Sequence, residues 1–244
     1  MDMQKTAVAA QAAASVKAVA DEPKISTLAS RLYAAATVTS ERNQGLTYTQ
    51  LNAKVIENTR TIHYTLDAEH KAAAAGQRPV PDDAGASASA DAATAFVNGK
   101  GSNPFAGLSR EQLSTIANDE SGTFTVNERR AADTQAYNEE QAWRSQVVAK
   151  AMQEYNQTGK MTNFFKDVLA HFESLPALEQ AQYPEDYAAS LKEKIELDFN
   201  YFNHAAHDGP PTPGSLADLT KRALSGPNLF DQLIALSTRD SEQE

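Results

Sequence analysis

The chain has 244 residues, enough for one large or two small domains, and it carries a formal net charge of −10 at pH 7. This acidic balance, without any basic run or stripe, argues against binding to nucleic acid or to an anionic membrane surface. The absence of cysteine excludes disulfides and thiolate chemistry. No apolar run approaches the ~20 residues that a membrane span needs.

The N-terminal part predicts a tail followed by a helical hairpin. Residues 1–24 are rich in alanine and lack the leucine-rich region of a secretory signal peptide, so we expect a disordered or loosely helical tail. This indicates a cytoplasmic protein or, alternatively, export by a non-classical route that needs no signal peptide. Residues 25–75 predict the hairpin: one helix over about 25–43, then a second that opens with the capping-box pattern from Thr47 to Gln50 and is expected to reach residue 75.

The stretch 76–107 predicts a flexible linker. Residues 76–91 consist largely of prolines, glycines, serines and alanines, which offer no face for burial. The chain after it, 108–237, predicts a C-terminal helical domain, with a disordered tail at 238–244.

The C-terminal domain is expected to hold most of the core, because its helices carry wide apolar faces. A long helix over about 126–157 places Trp143, the only tryptophan, on its apolar face as a core anchor. Further helices are expected from Thr162 onward and over 187–202. Two short C-terminal helices are predicted from leucines at helical spacing, namely Leu216, Leu219 and Leu224, then Leu229, Leu233 and Leu236.

The segment 108–158 carries the clearest local pattern, which is helix, tight polar loop, helix. Ser109 is a good N-cap, and Gln112 completes a capping box with it. The second helix begins with its own capping box, from Thr125 to Glu128. Strand signals are essentially absent, so we predict an all-α fold, an irregular multi-helix bundle with a helix-turn-helix corner at 108–158.

The loop of this corner has the spacing of a degenerate EF-hand over 117–128. When Gly122 takes the invariant sixth position, oxygen-bearing residues fall at positions three, five, seven, nine and twelve, namely Asp119, Ser121, Thr123, Thr125 and Glu128. The first position, where a carboxylate is expected, is Ala117. The pattern therefore predicts a calcium site of weak affinity.

A second interpretation of the same loop involves only ion pairs. Asp119 and Glu120 lie at a helix C-terminus, while Arg129 and Arg130 lie in the first turn of the next helix, and each pair has the wrong sign for its helix dipole. Placed across a tight corner, the two pairs could neutralise one another as a salt-bridge cluster.

Signals for catalysis are few. His204 and His207 are three residues apart in a predicted helix, so they could share a face and hold a transition metal together with ligands from elsewhere. There is no nucleophile elbow, P-loop or dinucleotide-binding glycine pattern in the sequence. No cofactor is therefore expected, apart from the calcium considered above.

The segment 103–132, NPFAGLSREQLSTIANDESGTFTVNERRAA, resembles one that recurs in a group of bacterial proteins, chiefly from pseudomonads, with no assigned activity. The similarity covers about residues 94–190. It implies a bacterial source and a shared helical module, and it carries over no catalytic residue.

Three functions follow as hypotheses. The first is a non-enzymatic helical protein that acts through protein–protein interaction, with another protein or with itself, as the narrow apolar stripe of the helix over 47–75 suggests. The second is a weak calcium-binding or calcium-stabilised module. The third is a metal-dependent enzyme of unknown class that uses His204 and His207.

Overall fold

A computed structural model of the chain describes residues 22–63, 67–207, 209–210, 213–214 and 218–219. Within these residues the predicted all-α fold is confirmed, with nine helices and no strand. Most of the predicted N-terminal tail, both predicted C-terminal helices apart from isolated residues, and the tail at 238–244 lie outside this description. The helices are α1 (Glu22–Asn43), α2 (Tyr48–His63), α3 (Ala68–Gly76), α4 (Ala84–Val97), α5 (Arg110–Ala117), α6 (Val126–Thr158), α7 (Thr162–Ser174), α8 (Ala177–Gln180) and α9 (Tyr187–Leu197).

The chain divides into two compact units. Unit 1 comprises Met1–Glu139 and Pro176–Gln182, and unit 2 comprises Glu140–Leu175 and Tyr183–Glu244. Helix α6 begins in unit 1 and continues in unit 2. Neither boundary falls within 76–107, the stretch in which the sequence indicates a linker between domains.

Helix α4 occupies much of that expected linker, and this is a correction to the sequence-based expectation. Asp83 caps the helix by accepting a hydrogen bond from the amide of Ala86 at 2.8 Å. Three alanines of α4 are buried, namely Ala86, Ala90 and Ala93, and α4 packs against α1. Small side chains bury little area each, but they let two helix axes approach closely, so an alanine face can still join a core.

The core of unit 1 is built around the helix-turn-helix corner. The rings of Phe105 and Phe124 meet edge to face with their centroids 6.4 Å apart, and Leu113 and Ile116 of α5 are fully buried beside them. The capping box of Ser109 and Gln112 is confirmed at the start of α5. The corner predicted at 108–158 is therefore a packed element of the fold.

The second helix of the predicted hairpin is shorter than expected. In place of one helix up to residue 75, the structure has α2 and then α3, and Asp67 caps α3 by accepting a hydrogen bond from the amide of His70 at 2.9 Å. Asp at this position is an N-cap signal that competes with continuation of α2. The start of α2 is as predicted, because Thr47 and Gln50 form the expected capping box.

Unit 2 contains the second part of α6 with α7 and α9, and α7 packs against α9. Helix α9 ends at Leu197, before the expected end at 202, because Asp198 adopts a left-handed conformation with φ 42°. The Asp198 carboxylate accepts hydrogen bonds from Lys160 Nζ at 2.6 Å and from Thr162 Oγ1 at 2.5 Å. These side-chain contacts at the start of α7 hold the chain in a turn where periodicity alone predicts helix.

Among the helices of the described residues, none is long and apolar enough to cross a membrane.

Candidate functional site

The loop between α5 and α6 is organised by the carboxylate of Asp119, which is 2 % exposed. Its Oδ1 accepts hydrogen bonds from the amide of Ser121 at 2.9 Å and from the Ser121 hydroxyl at 2.5 Å. Its Oδ2 accepts one from the amide of Phe124 at 2.8 Å. The Ser121 hydroxyl also lies 2.6 Å from Thr123 Oγ1. The structure thus brings three of the predicted ligand residues together in one hydrogen-bonded cluster.

Glu128, at the twelfth position of the predicted calcium loop, is completely buried. Its Oε1 accepts hydrogen bonds from Arg31 Nη2 at 2.9 Å and from Ser89 Oγ at 2.8 Å. Its Oε2 accepts from the same Arg31 nitrogen at 2.8 Å and from the amide of Thr125 at 2.9 Å. With the Glu128 amide donating to Thr125 Oγ1 at 3.3 Å, the second capping box is also present. One carboxylate therefore joins α1, α4 and the start of α6.

Arg31 stands where the predicted loop would hold its cation. Its Nη2 donates to the carbonyl of Thr123 at 2.8 Å as well as to both carboxylate oxygens of Glu128. In an EF-hand, the carbonyl at position seven and the bidentate carboxylate at position twelve are calcium ligands. The guanidinium carbon also lies 4.2 Å from the centre of the Phe124 ring, at a distance that suits a cation–π contact.

The five predicted ligands do not fit a calcium ion while Arg31 is in place. Calcium would have to displace a guanidinium that is 4 % exposed and that donates to both carboxylate oxygens of Glu128. Among the described residues, no group of three or more His, Asp or Glu side chains is arranged to hold a metal ion. Calcium binding stays a prediction, and it would require Arg31 to move.

The predicted ion pairs across the corner are replaced by other contacts. Glu120 pairs with Arg42 and with Lys54, each at 3.2 Å. Arg129 Nε donates to the carbonyl of Ala117, at the end of α5, at 3.0 Å. Burial lowers the pKa of Arg129, and the charges of Asp119 and Glu120 partly offset this effect. The opposite charges therefore act on one another through space, while the direct contacts of Arg129 are made with the backbone.

The sequence argument missed Arg31 and Ser89. Arg31 lies between Leu28 and Ala35 at helical spacing on the apolar face of α1, so a charged residue within a buried stripe was the available signal. Ser89 had no such signal, because it lies in the stretch 76–107, for which the sequence predicts a linker.

Unit 2 contains an apolar groove of about 490 Å³ between α6, α7 and α9. Its lining includes the buried side chains Val147, Phe172 and Leu191. Half-buried side chains of α7 also line it, namely Phe164, Phe165 and Val168. Val148, at 51 % exposure, adds apolar surface that faces solvent.

Trp143, which the sequence predicts as a core anchor, also lines this groove. It is only half-buried, and its ring stacks on His171 with centroids 3.6 Å apart and planes 13° apart. His171 Nε2 lies 2.8 Å from Glu140 Oε2, and Arg144 Nε donates to Glu140 Oε1 at 2.9 Å. This hydrogen bond raises the pKa of Arg144. The polar groups thus orient the His171 ring against the indole and leave the other side chains of the lining mostly apolar.

His204 and His207 do not share a helical face in the structure. Both have positive φ, 53° and 51°, and both lie in the irregular segment after α9. The hypothesis of a metal-dependent enzyme at these residues stays a prediction, which metal analysis of the purified protein would test.

Comparison of the chain with protein-family models, with curated proteins and with solved structures gives no match.

Proposed function

We propose that this protein is non-enzymatic and acts by binding another protein, with the groove of unit 2 receiving an amphipathic helix of that partner. The observation that carries the proposal is an apolar groove with half-exposed aromatic walls. Aromatic side chains are enriched where partners bind, because they bury large areas at low cost in conformational entropy.

The form of the groove favours a helix as its occupant. A channel between helices receives the apolar face of another helix, which presents side chains at i, i+3 or i+4 and i+7. The exposed basic residue Lys194 lines the same groove, in which the charge of Arg144 is already paired with Glu140. A partner helix with an acidic residue beside its apolar face would complement Lys194.

The test uses two substitutions on the same exposed side of α6. Val148 lines the groove, whereas Met152, one turn later and 62 % exposed, does not belong to its lining. We expect Val148→Asp to abolish cross-linking of a partner in native extract and Met152→Asp to leave it unchanged, with equal circular dichroism for both. Mass spectrometry should identify a cross-linked peptide of the partner whose sequence has apolar residues at helical spacing.

Two outcomes would argue against the proposal. Equal capture by both variants would place any interaction outside the groove. A protein that stays monomeric by light scattering at micromolar concentration and captures no partner would remove the basis for a binding function altogether.

The alternative of calcium binding keeps one supporting observation, the cluster of oxygens around Asp119. It is tested by calorimetry with millimolar calcium. A calcium-dependent rise in Tm that is lost in Glu128→Gln would support it, whereas the absence of heat would end it.

A further inference from the structure

The chain itself contains a segment with the chemistry that the groove would accept. Residues 228–237 read NLFDQLIALS and lie outside the described residues. At 3.6 residues per turn, Leu229, Leu233 and Leu236 fall within about 60° of one another around a helix axis. Phe230 and Ile234 extend this apolar face to about 160°.

The opposite face of the same segment is polar or small. Asp231 and Ala235 project about 140–180° away from the centre of the apolar face. Asp231 is the only charged residue of the segment, and on this face it would stay in water when the apolar face enters the groove. The segment therefore offers a wide apolar face without a charged side chain, which is the kind of face that the groove would bury.

The path of the chain also allows this segment to reach the groove. The amide of His207 donates to the carbonyl of Asp198 at 3.3 Å, so the chain is held at the end of α9, a helix that lines the groove. About 20 residues then separate His207 from the segment, and 20 residues span about 30 Å even at the 1.5 Å rise per residue of an α-helix. Helix α9 is only about 16 Å long. The segment can thus lie along the groove without strain in the connection.

We infer that residues 228–237 dock as an amphipathic helix in the groove of unit 2 of the same chain and compete there with the partner helix. This inference rests on the proposed function, because both helices use the same surface. Tethering gives an effective concentration of about 1 mM, so a Kd of only ~0.1 mM would keep the groove about nine-tenths covered. A partner then has to bind more tightly than the tail or wait for its release.

Trp143 offers a direct measurement, because it is the only tryptophan and it lines the groove. In a chain ending at residue 220 we expect its emission to move to longer wavelength than in the full chain. The peptide 221–244 added in trans should reverse the shift in a saturable manner, and the same truncation should increase cross-linking of a partner.

Full-length variants provide the matched control and avoid any effect of truncation on folding. Leu233→Asp places a charge on the apolar face and should reproduce the shift, whereas Ala235→Asp places the same charge on the opposite face and should not. The shift should be independent of protein concentration, as expected for docking within one chain.

Identical emission from the full chain, the truncated chain and Leu233→Asp would overturn the inference. A shift that depends on protein concentration would also overturn it and would point to the tail of a second copy. Both results leave the proposed function to its own test, because loss of partner cross-linking in Val148→Asp does not depend on the tail.

Discussion

Replacement of Arg31 by Met is the most direct test of the corner as the structural centre of unit 1. The substitution keeps a long apolar side chain against Phe124 but removes the positive charge. Glu128, which is 0 % exposed, would then retain only the hydrogen bonds from Ser89 and Thr125. A buried carboxylate that loses its counter-charge is expected to destabilise the fold strongly.

The expected loss is about 3–5 kcal/mol, the cost of removing one partner from a buried ion pair. Small domains have a total free energy of unfolding of about 5–15 kcal/mol, so this single change would remove a large part of it. The matched control is Arg42→Met, the same chemical change on the same helix. Because Arg42 is 49 % exposed and pairs with Glu120 near the surface, we expect its loss to cost under about 1 kcal/mol.

Urea unfolding followed by circular dichroism measures both changes, and hydrogen exchange at the amides of residues 123–128 localises the effect to the corner. In the double variant Arg31→Met with Glu128→Gln, no uncompensated charge is left. The sum of the two single losses of unfolding free energy should then exceed the loss in the double variant by about 1–3 kcal/mol. Additive costs, or equal effects of Arg31→Met and Arg42→Met, would refute the view that this buried pair stabilises the corner.

Three further predictions concern other contacts. Because the hydrogen bond from Lys160 lowers the pKa of Asp198 below its ordinary 3.8, this carboxylate stabilises the fold at neutral pH, and the contribution is lost as pH falls through the lowered value. The Tm of Asp198→Asn should therefore lie below that of the wild type at neutral pH, and a difference that persists in strong acid would contradict this. Gly122→Ala should cost about 1–2 kcal/mol from its φ of +83° alone, whereas Gly159→Ala should cost more in urea unfolding, because its new Cβ would lie 2.5–2.7 Å from atoms of the segment after α9. If both variants lose the same unfolding free energy, the segment after α9 moves aside for the new Cβ at residue 159 without an energetic cost. Ser89→Ala removes one donor from the buried carboxylate of the corner and should cost about 1.5–3 kcal/mol by the same assay, and a cost near zero would mean that α4 is not held by this bond.

Much of the local structure could be predicted from the sequence. The capping boxes that begin with Ser109 and Thr125 depend only on residues three apart, so their side chains reach the backbone whatever the rest of the chain does. Apolar periodicity likewise predicted the long helix α6 and the apolar face of α7. Prediction was poorest where a contact with a distant residue decides the outcome, as at Asp198, where Lys160 and Thr162 end a helix that periodicity continues.

The sequence by itself determined the helical class, the helix starts that carry a capping box and the tight loop, because capping and periodicity are properties of neighbouring residues. Only the tertiary structure decided which positive charge the corner holds against Glu128. The loop spacing suggests a calcium site, yet in the folded chain Arg31, some 97 residues before Glu128, supplies the positive charge. A carboxylate fully removed from water needs a cation, and only the packing of α1 against the corner decides that this cation is a guanidinium.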